Sequence, residues 1–318
     1  MKTEQSLALR RAQMEIAAVP LSRLQSLAQS PLAIRLSAFL ALMKPRVMLL
    51  AVFTAVVGLV IAPDHLDPIS AAIAILAIAA GAAAAGVLNM WYDADIDAVM
   101  TRTAARPIPR GTISPGAALV LGLALAGAAV LALDVATNDP AAALLAFTIF
   151  FYAVVYTMWL KRRTPYNIVI GGAAGALPPM VGWTAVTGHV DLLALYLFAV
   201  IFFWTPPHFW ALSLLTSQDY ARANVPMLPL VMGEGETRRQ ILLYSILLVA
   251  VTTLLFSGRT MGFLYLVAAL ALGGGLIFYA IRLMRDGSLR RARQLFMYSN
   301  VYLALLFVAM AIDRLGVL

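Results

Sequence analysis

An all-α, polytopic membrane protein is what this sequence predicts, and three observations carry the expectation. Of its 318 residues, 62% are hydrophobic and only 12% charged, with a mean hydropathy of +0.89. A soluble protein keeps roughly a quarter of its residues charged. Nine apolar segments recur along the chain, most of them about 20 residues long, enough to cross a bilayer core at a helical rise of about 1.5 Å per residue. Finally, 21 of the 23 lysines and arginines fall in connections that would share one side of the membrane. The net charge of +8 is therefore a topology signal with anionic lipid headgroups as partner, not the footprint of a nucleic-acid binder. There is no cysteine, which excludes disulfides, thiolate metal sites and cysteine nucleophiles.

Residues 1–43 form a basic, partly amphipathic arm. Glu4 and Glu15 weigh against a mitochondrial transit peptide, and the arm is too polar for a secretory signal. An interfacial helix on the cytoplasmic leaflet is expected instead, followed by one nine-helix domain over residues 44–318. The first span, 45–63, has seven basic residues at or before its start, counted through Arg46. The second, 69–90, contains the uncharged run AAIAILAIAAGAAAAGVL. The third and fourth, 115–133 and 140–160, lie between Arg102, Arg106 and Arg110 on one side and Lys161, Arg162 and Arg163 on the other. The fifth, 166–187, carries GGAAGALPP, whose small residues permit close helix approach and whose prolines suggest a bend. The sixth, 192–215, is followed by Arg222, Arg238 and Arg239. The seventh and eighth, 239–257 and 260–281, precede five arginines, and the ninth covers 295–313. Only Arg259 and Arg314 fall on the opposite side. The charge bias places the N-terminus in the cytoplasm and, with nine crossings, the C-terminus outside.

The connection after the second span, NMWYDADIDAVMTRTAARPIPRG, holds three aspartates and three arginines. Asn89, Asp93 and Asp97 are each four residues apart, which puts all three side chains on one stripe of a helix. Asp95 lies on the opposite face, toward solvent or a basic neighbour. Two carboxylates and an amide oxygen are hard ligands of the kind Mg²⁺ accepts, and such sites serve phosphate groups brought by a substrate. Arg102, Arg106 and Arg110 follow at once, and guanidinium forks match phosphate oxygens. Pro107 and Pro109 keep this segment a loop. The bland alternative is a loop whose two signs neutralise one another at the headgroups; ionisable groups at membrane depth are usually functional, which favours the metal site. Four spans later the connection from Thr205 to Arg239 repeats the style with Asp219, Arg222, Pro226 and Pro229, suggesting a weak duplication. Transporters are often duplicated too.

At these residues the chain resembles the UbiA-type membrane prenyltransferases, and more narrowly their haem-farnesylating branch. The resemblance runs from about Lys44 onward and rests on NMWYDADIDAVMTRTAARPIPRG, WLKRRTPYNIVIGGAAGALPP, WTPPHFWAL and DYARANVPMLP. It implies a nine-helix bundle around a central cavity, in the bacterial cytoplasmic (inner) membrane with the site toward the cytoplasm. It implies transfer of the farnesyl group of farnesyl diphosphate to a vinyl group of haem B with addition of water, and Mg²⁺ as cofactor. Asn89, Asp93 and Asp97 match the family's Mg²⁺–diphosphate ligands; Arg102, Arg106 and Lys161 match its basic residues at the diphosphate, with Arg222 a further candidate. Asp219 and Tyr220 stand at the second motif, Asp219 also as a candidate metal ligand. The wider family has two aspartates four residues apart there, whereas Asp219 is followed by Ala223. That departure agrees with the narrower branch. Family context adds haem A synthase or a terminal oxidase assembly as protein partners.

On the acceptor side, His208 in TPPHFW is the candidate for ligating haem iron or handling a proton, since His65 and His189 fall in outer loops. Its bland alternative is a hydrogen-bonded histidine steadying a proline-bent helix. Tyr152, Tyr156, Trp204 and Phe209 are candidates for lining the prenyl and acceptor pocket, or are simple packing. Two other functions compete with haem farnesylation. A prenyltransferase for a quinone precursor or other aromatic acceptor should show the second aspartate pair. A transporter would place its charges near the bilayer midplane rather than at one membrane end.

Overall fold

The computed structural model describes residues 31–258 and 260–316, and every regular element among them is helical. Most of the expected arm, with Glu4 and Glu15, lies outside the described residues, as does Arg259. Thirteen helices follow in order: α1 Pro31–Leu42, α2 Pro45–Val60, α3 Pro68–Tyr92, α4 Ala94–Val99, α5 Pro115–Ala136 and α6 Asp139–Phe150. After α6 the chain continues without a break as a π-helix, Phe151–Leu160. Then come α7 Asn167–Thr187, α8 Leu192–Leu215, α9 Ser217–Arg222, α10 Leu228–Val231, α11 Gly233–Ser257, α12 Phe263–Asp286 and α13 Leu289–Leu315.

Eight of these elements are long and apolar enough to cross a membrane, counting α6 and its π-helical continuation as one. The expected first span is the shorter α2, whose apolar part is Met48–Val60. Several spans begin in the same way, with a capping side chain and a proline within the next two residues. Asp67 accepts from the backbone N–H of Ile69 and Ser70, Ser114 from Ala117 and Asn138 from Ala141. Each is followed by a proline in the first turn, where no intrahelical N–H partner is lost.

Helices α7 and α8 form the centre. α2 and α6 pack on α7, α11 and α13 pack on α8, and α13 also meets α2, closing the ring. Small residues set the closest approach. A Cβ on Gly58 would stand 2.2 Å from the carbonyl oxygen of Pro179, and one on Gly182 would stand 2.1 Å from that of Ala55. α2 and α7 therefore touch backbone to backbone, as small residues allow in lipid. The prolines of GGAAGALPP sit inside α7, and Pro206 and Pro207 inside α8. Leu76, Val120 and Phe263 point outward, as lipid-facing side chains do. The end of the arm is a packed element: Ala38 and Leu42 of α1 join Val87, Met90, Ile108, Ile113 and Ala118 in one buried cluster.

Candidate active site

Asn89, Asp93 and Asp97 come together as expected, although the continuous helical stripe does not exist. α3 ends at Tyr92, Asp93 leaves the helical backbone (φ −85°, ψ 8°), and Asp97 belongs to the separate α4. The i,i+4 backbone bonds survive the break: Asp93 N donates to Asn89 O at 2.9 Å, and Asp97 N to Asp93 O at 2.8 Å. All three side chains are buried.

The cluster is ringed by cations. Asn89 Nδ2 donates to Asp93 Oδ2 (2.7 Å) and to Thr157 Oγ1 (3.1 Å), while Lys44 Nζ donates to Asn89 Oδ1 (2.8 Å). Lys161 pairs with Asp93 Oδ2, and Arg106 pairs with Asp97 Oδ2. Asp93 Oδ1 is buried and accepts no hydrogen bond among the described residues; Arg162 Nη2 stands 3.7 Å from it. A buried carboxylate oxygen left without a donor is costly unless something positive completes it. Such an oxygen, beside an amide and a second carboxylate, fits a hard divalent cation.

Asp95 does face away. It is exposed and grips Arg162 through two 2.7 Å bonds, and this pairing holds its carboxyl below the usual carboxylate range. Arg162 in turn lies over the Tyr92 ring at 5.1 Å.

The second motif is tied to the first. Asp219 Oδ1 accepts from the backbone N–H of Thr101 (3.0 Å) and Oδ2 from that of Arg102 (3.3 Å). Partial burial works against the charge of Asp219, but these two amides outweigh it and hold the carboxyl below its usual range. Arg222 bonds Thr101 Oγ1 at 2.5 Å and Asp219 at 3.3 Å, and is exposed. Arg102 bonds the Tyr220 hydroxyl at 2.9 Å and stacks over its ring at 5.1 Å. Both oxygens of Asp219 are thus engaged by the loop that carries the arginines, an arrangement that latches the two motifs together. Beneath it, Ile96, Met100, Ile168, Tyr220, Val225 and Met227 form a small apolar cluster, against which Phe209 also packs.

Tyr152 and Tyr156 lie one π-helical turn apart with ring centroids at 5.3 Å, and Tyr152 is within electrostatic reach of Asp93, Asp97 and Arg106. Tyr156 rests on Gly171, and the next residue, Gly172, rests on Thr205 of α8. The glycine pair thereby links the charged end to Trp204 and His208. The imidazole of His208 is sandwiched between Trp204 (centroids 4.2 Å, 20° between planes) and Phe296 of α13 (4.6 Å, 28°). Phe209 meets it edge-on at 5.9 Å.

Sequence reasoning missed Lys44, Thr157 and Ser299. Lys44 was counted with the basic arm, yet its backbone is left-handed (φ 51°, ψ 52°), which swings its side chain onto Asn89. Burial, with Arg106 and Lys161 nearby, pushes its ammonium down to about 7. The one sequence signal was the lysine placed directly before Pro45. Thr157 reaches Asn89 from the π-helix, and Ser299 reaches His208 from α13.

A profile of the UbiA prenyltransferase family matches residues 51–306. The chain belongs to that family. Among similar members, a protoheme IX farnesyltransferase of Granulibacter bethesdensis is 51% identical over 309 residues, covering 94% of this chain and 96% of that protein. Protoheme IX farnesyltransferase 2 of Mesorhizobium japonicum is 58% identical over 281 residues, covering 86% and 89%. Solved structures share the fold at low identity. A digeranylgeranylglyceryl phosphate synthase superposes with a TM-score of 0.74 at 16% identity, over 89% of this chain and 99% of that one. A UbiA homologue from Archaeoglobus fulgidus, bound to GPP and Mg²⁺, superposes with a TM-score of 0.63 at 16% identity, over 86% and 99%. This UbiA-family chain thus has its charged cluster at one end of a prenyltransferase fold.

Proposed function

We propose that this chain transfers the farnesyl group of farnesyl diphosphate to a vinyl group of haem B, with addition of water, giving haem O and diphosphate. The names of relatives 51–58% identical support the donor and acceptor. The observation that carries the site is the buried Oδ1 of Asp93, which accepts no hydrogen bond among the described residues and is set among Asn89, Asp97, Lys44, Lys161 and Arg106.

Asn89, Asp93 and Asp97 would hold Mg²⁺, which when bound supplies Lewis acidity toward the diphosphate oxygens. Lys44, Lys161, Arg102 and Arg106 neutralise charge that builds on the departing diphosphate. Asp219 and Arg222 hold the loop on which Arg102 and Arg106 sit, with Arg222 at the exposed edge of the diphosphate site. The bond between farnesyl C1 and the diphosphate oxygen breaks, and the terminal vinyl carbon of the haem forms a bond to C1. The positive charge moves to the vinyl carbon beside the porphyrin, takes hydroxide from water and releases a proton. Tyr152 and Tyr156 cover the allylic cation with aromatic faces and keep water out until that step. His208 meets the acceptor, with Trp204 and Phe209 shaping its pocket.

In the membrane, nine crossings with the N-terminus in the cytoplasm follow from the charge bias. The arm over residues 1–43 would then lie on the cytoplasmic leaflet of a bacterial inner membrane, and a haem A synthase or oxidase assembly would receive the product. The decisive experiment extracts haems from cells with and without this chain and weighs them. A chain-dependent gain of one farnesyl group plus one hydroxyl group is expected; haem B left unchanged would refute the proposal.

A further inference from the structure

Three edges and faces of the His208 ring are accounted for. Trp204 covers one face and Phe296 the other, so the ring cannot tilt. Its Nδ1 lies 2.8 Å from Ser299 Oγ. The Ser299 hydroxyl has one proton and has the carbonyl oxygen of Phe296, one helical turn back, as an acceptor 2.8 Å away. With the proton on that carbonyl, the oxygen of Ser299 accepts from His208 and Nδ1 carries the hydrogen. A neutral imidazole with hydrogen on Nδ1 has its lone pair on Nε2. Nε2 makes no hydrogen bond among the described residues, and His208 keeps 9% of its surface accessible. The same serine holds the neighbouring aromatic by a different atom, its backbone carbonyl accepting from Trp204 Nε1 at 2.7 Å.

We infer that Ser299 is a positioning residue for the acceptor: it fixes His208 as the Nδ1–H tautomer, so that Nε2 presents a lone pair to the iron of a metalloporphyrin. This rests on the reading of haem as the acceptor. Metal-binding histidines generally need such a partner on the second nitrogen, and losing it costs about 10–100-fold in metal affinity. A ring locked in the other tautomer would offer the iron an N–H, which cannot ligate.

The protein has three histidines, so a His65→Asn/His189→Asn background leaves one imidazole for ¹⁵N-histidine NMR of the full chain in detergent or nanodiscs. A protonated Nδ1 and an unprotonated Nε2 are expected, and the reverse pattern overturns the inference without any change at Ser299. Ser299→Ala keeps the backbone carbonyl that holds Trp204 but removes the acceptor for Nδ1. It should mix the tautomers, weaken haem B binding about 10–100-fold and alter the axial-nitrogen signature in absorption and EPR spectra. Farnesyl diphosphate binding should stay unchanged, and Ser299→Thr should restore the haem spectrum. If Ser299→Ala leaves tautomer and haem spectrum as they were, the role of Ser299 is refuted while the acceptor reading stands. If His208→Ala leaves the haem spectrum unchanged, the iron is not the partner of Nε2, and the inference falls with that reading.

Discussion

Lys44 Nζ donates to Asn89 Oδ1 across 2.8 Å, joining the start of the first apolar helix to the end of the second at the charged cluster. Lys44 is thereby a member of the site and not only a topology charge. Its ammonium can turn from Asn89 to a diphosphate oxygen when the amide oxygen is taken by a metal.

Replacing Lys44 by methionine is therefore expected to slow farnesyl transfer by about 10²-fold, the usual loss when a charge-stabilising group is removed. Lys44→Arg should retain part of the rate. Farnesyl haem formed per unit of folded protein in membranes is the measurement, and an unaltered rate in Lys44→Met would return the residue to a topology role.

Two aspartates two residues apart should behave very differently. Asp93→Asn removes the charge at the orphaned oxygen and should abolish Mg²⁺-dependent transfer, a loss of about 10²-fold or more. Asp95→Asn loses an exposed pair with Arg162, a kind of contact worth about 0–1 kcal/mol. Its rate should fall less than tenfold. Parallel assays across a Mg²⁺ titration decide between them; equal losses would contradict the division.

Gly171 and Gly175 provide a steric test. A Cβ at Gly171 would stand 2.1 Å from the Tyr156 ring, whereas nothing lies within 4 Å of one at Gly175. Gly171→Ala must displace Tyr156 and should cost about 1–3 kcal/mol, together with most of the activity. Gly175→Ala should change neither the melting temperature nor the rate.

Asp219→Ala unlatches the two motif loops, and faster hydrogen exchange at Thr101 and Arg102 is the expected reading. The pH dependence has a definite sign. The folded-state carboxyl titrates below its ordinary 3.8, so the latch is fully present above that value. It weakens as the pH falls through the lower folded value. Protection at Thr101 and Arg102, taken relative to each amide's intrinsic exchange rate at that pH, should therefore fall on acidification in the parent protein and stay constant in Asp219→Ala.

The parts of the site legible in the sequence were those encoded by short spacing. Asn89, Asp93 and Asp97 declare themselves at intervals of four, and the interval holds through the helix break because the i,i+4 backbone bonds persist. Asp95 could be set apart by the same geometry. The spans were legible because bilayer thickness dictates their length. What stayed hidden depends on tertiary contacts or on backbone that departs from the α-helix. Lys44 reaches Asn89 through a left-handed residue, and Ser299 lies 91 positions from its partner His208. Asp219 looked like half of a metal motif; its engagement by two backbone amides of another loop has no local signature.

The π-helix at Phe151–Leu160 has a consequence for how this chain can change in length. Its backbone bonds run five residues back, as from Lys161 N to Tyr156 O at 2.9 Å. Winding of this kind uses more residues per turn than an α-helix does. A single-codon deletion upstream in this stretch would leave a segment just as greasy and long enough to cross. It would also shift everything after it by one residue around the helix. Thr157 would then miss Asn89 and Lys161 would miss Asp93, so the chain would insert normally and be inert. Helical register within the span, and not its hydrophobicity, is what the site depends on.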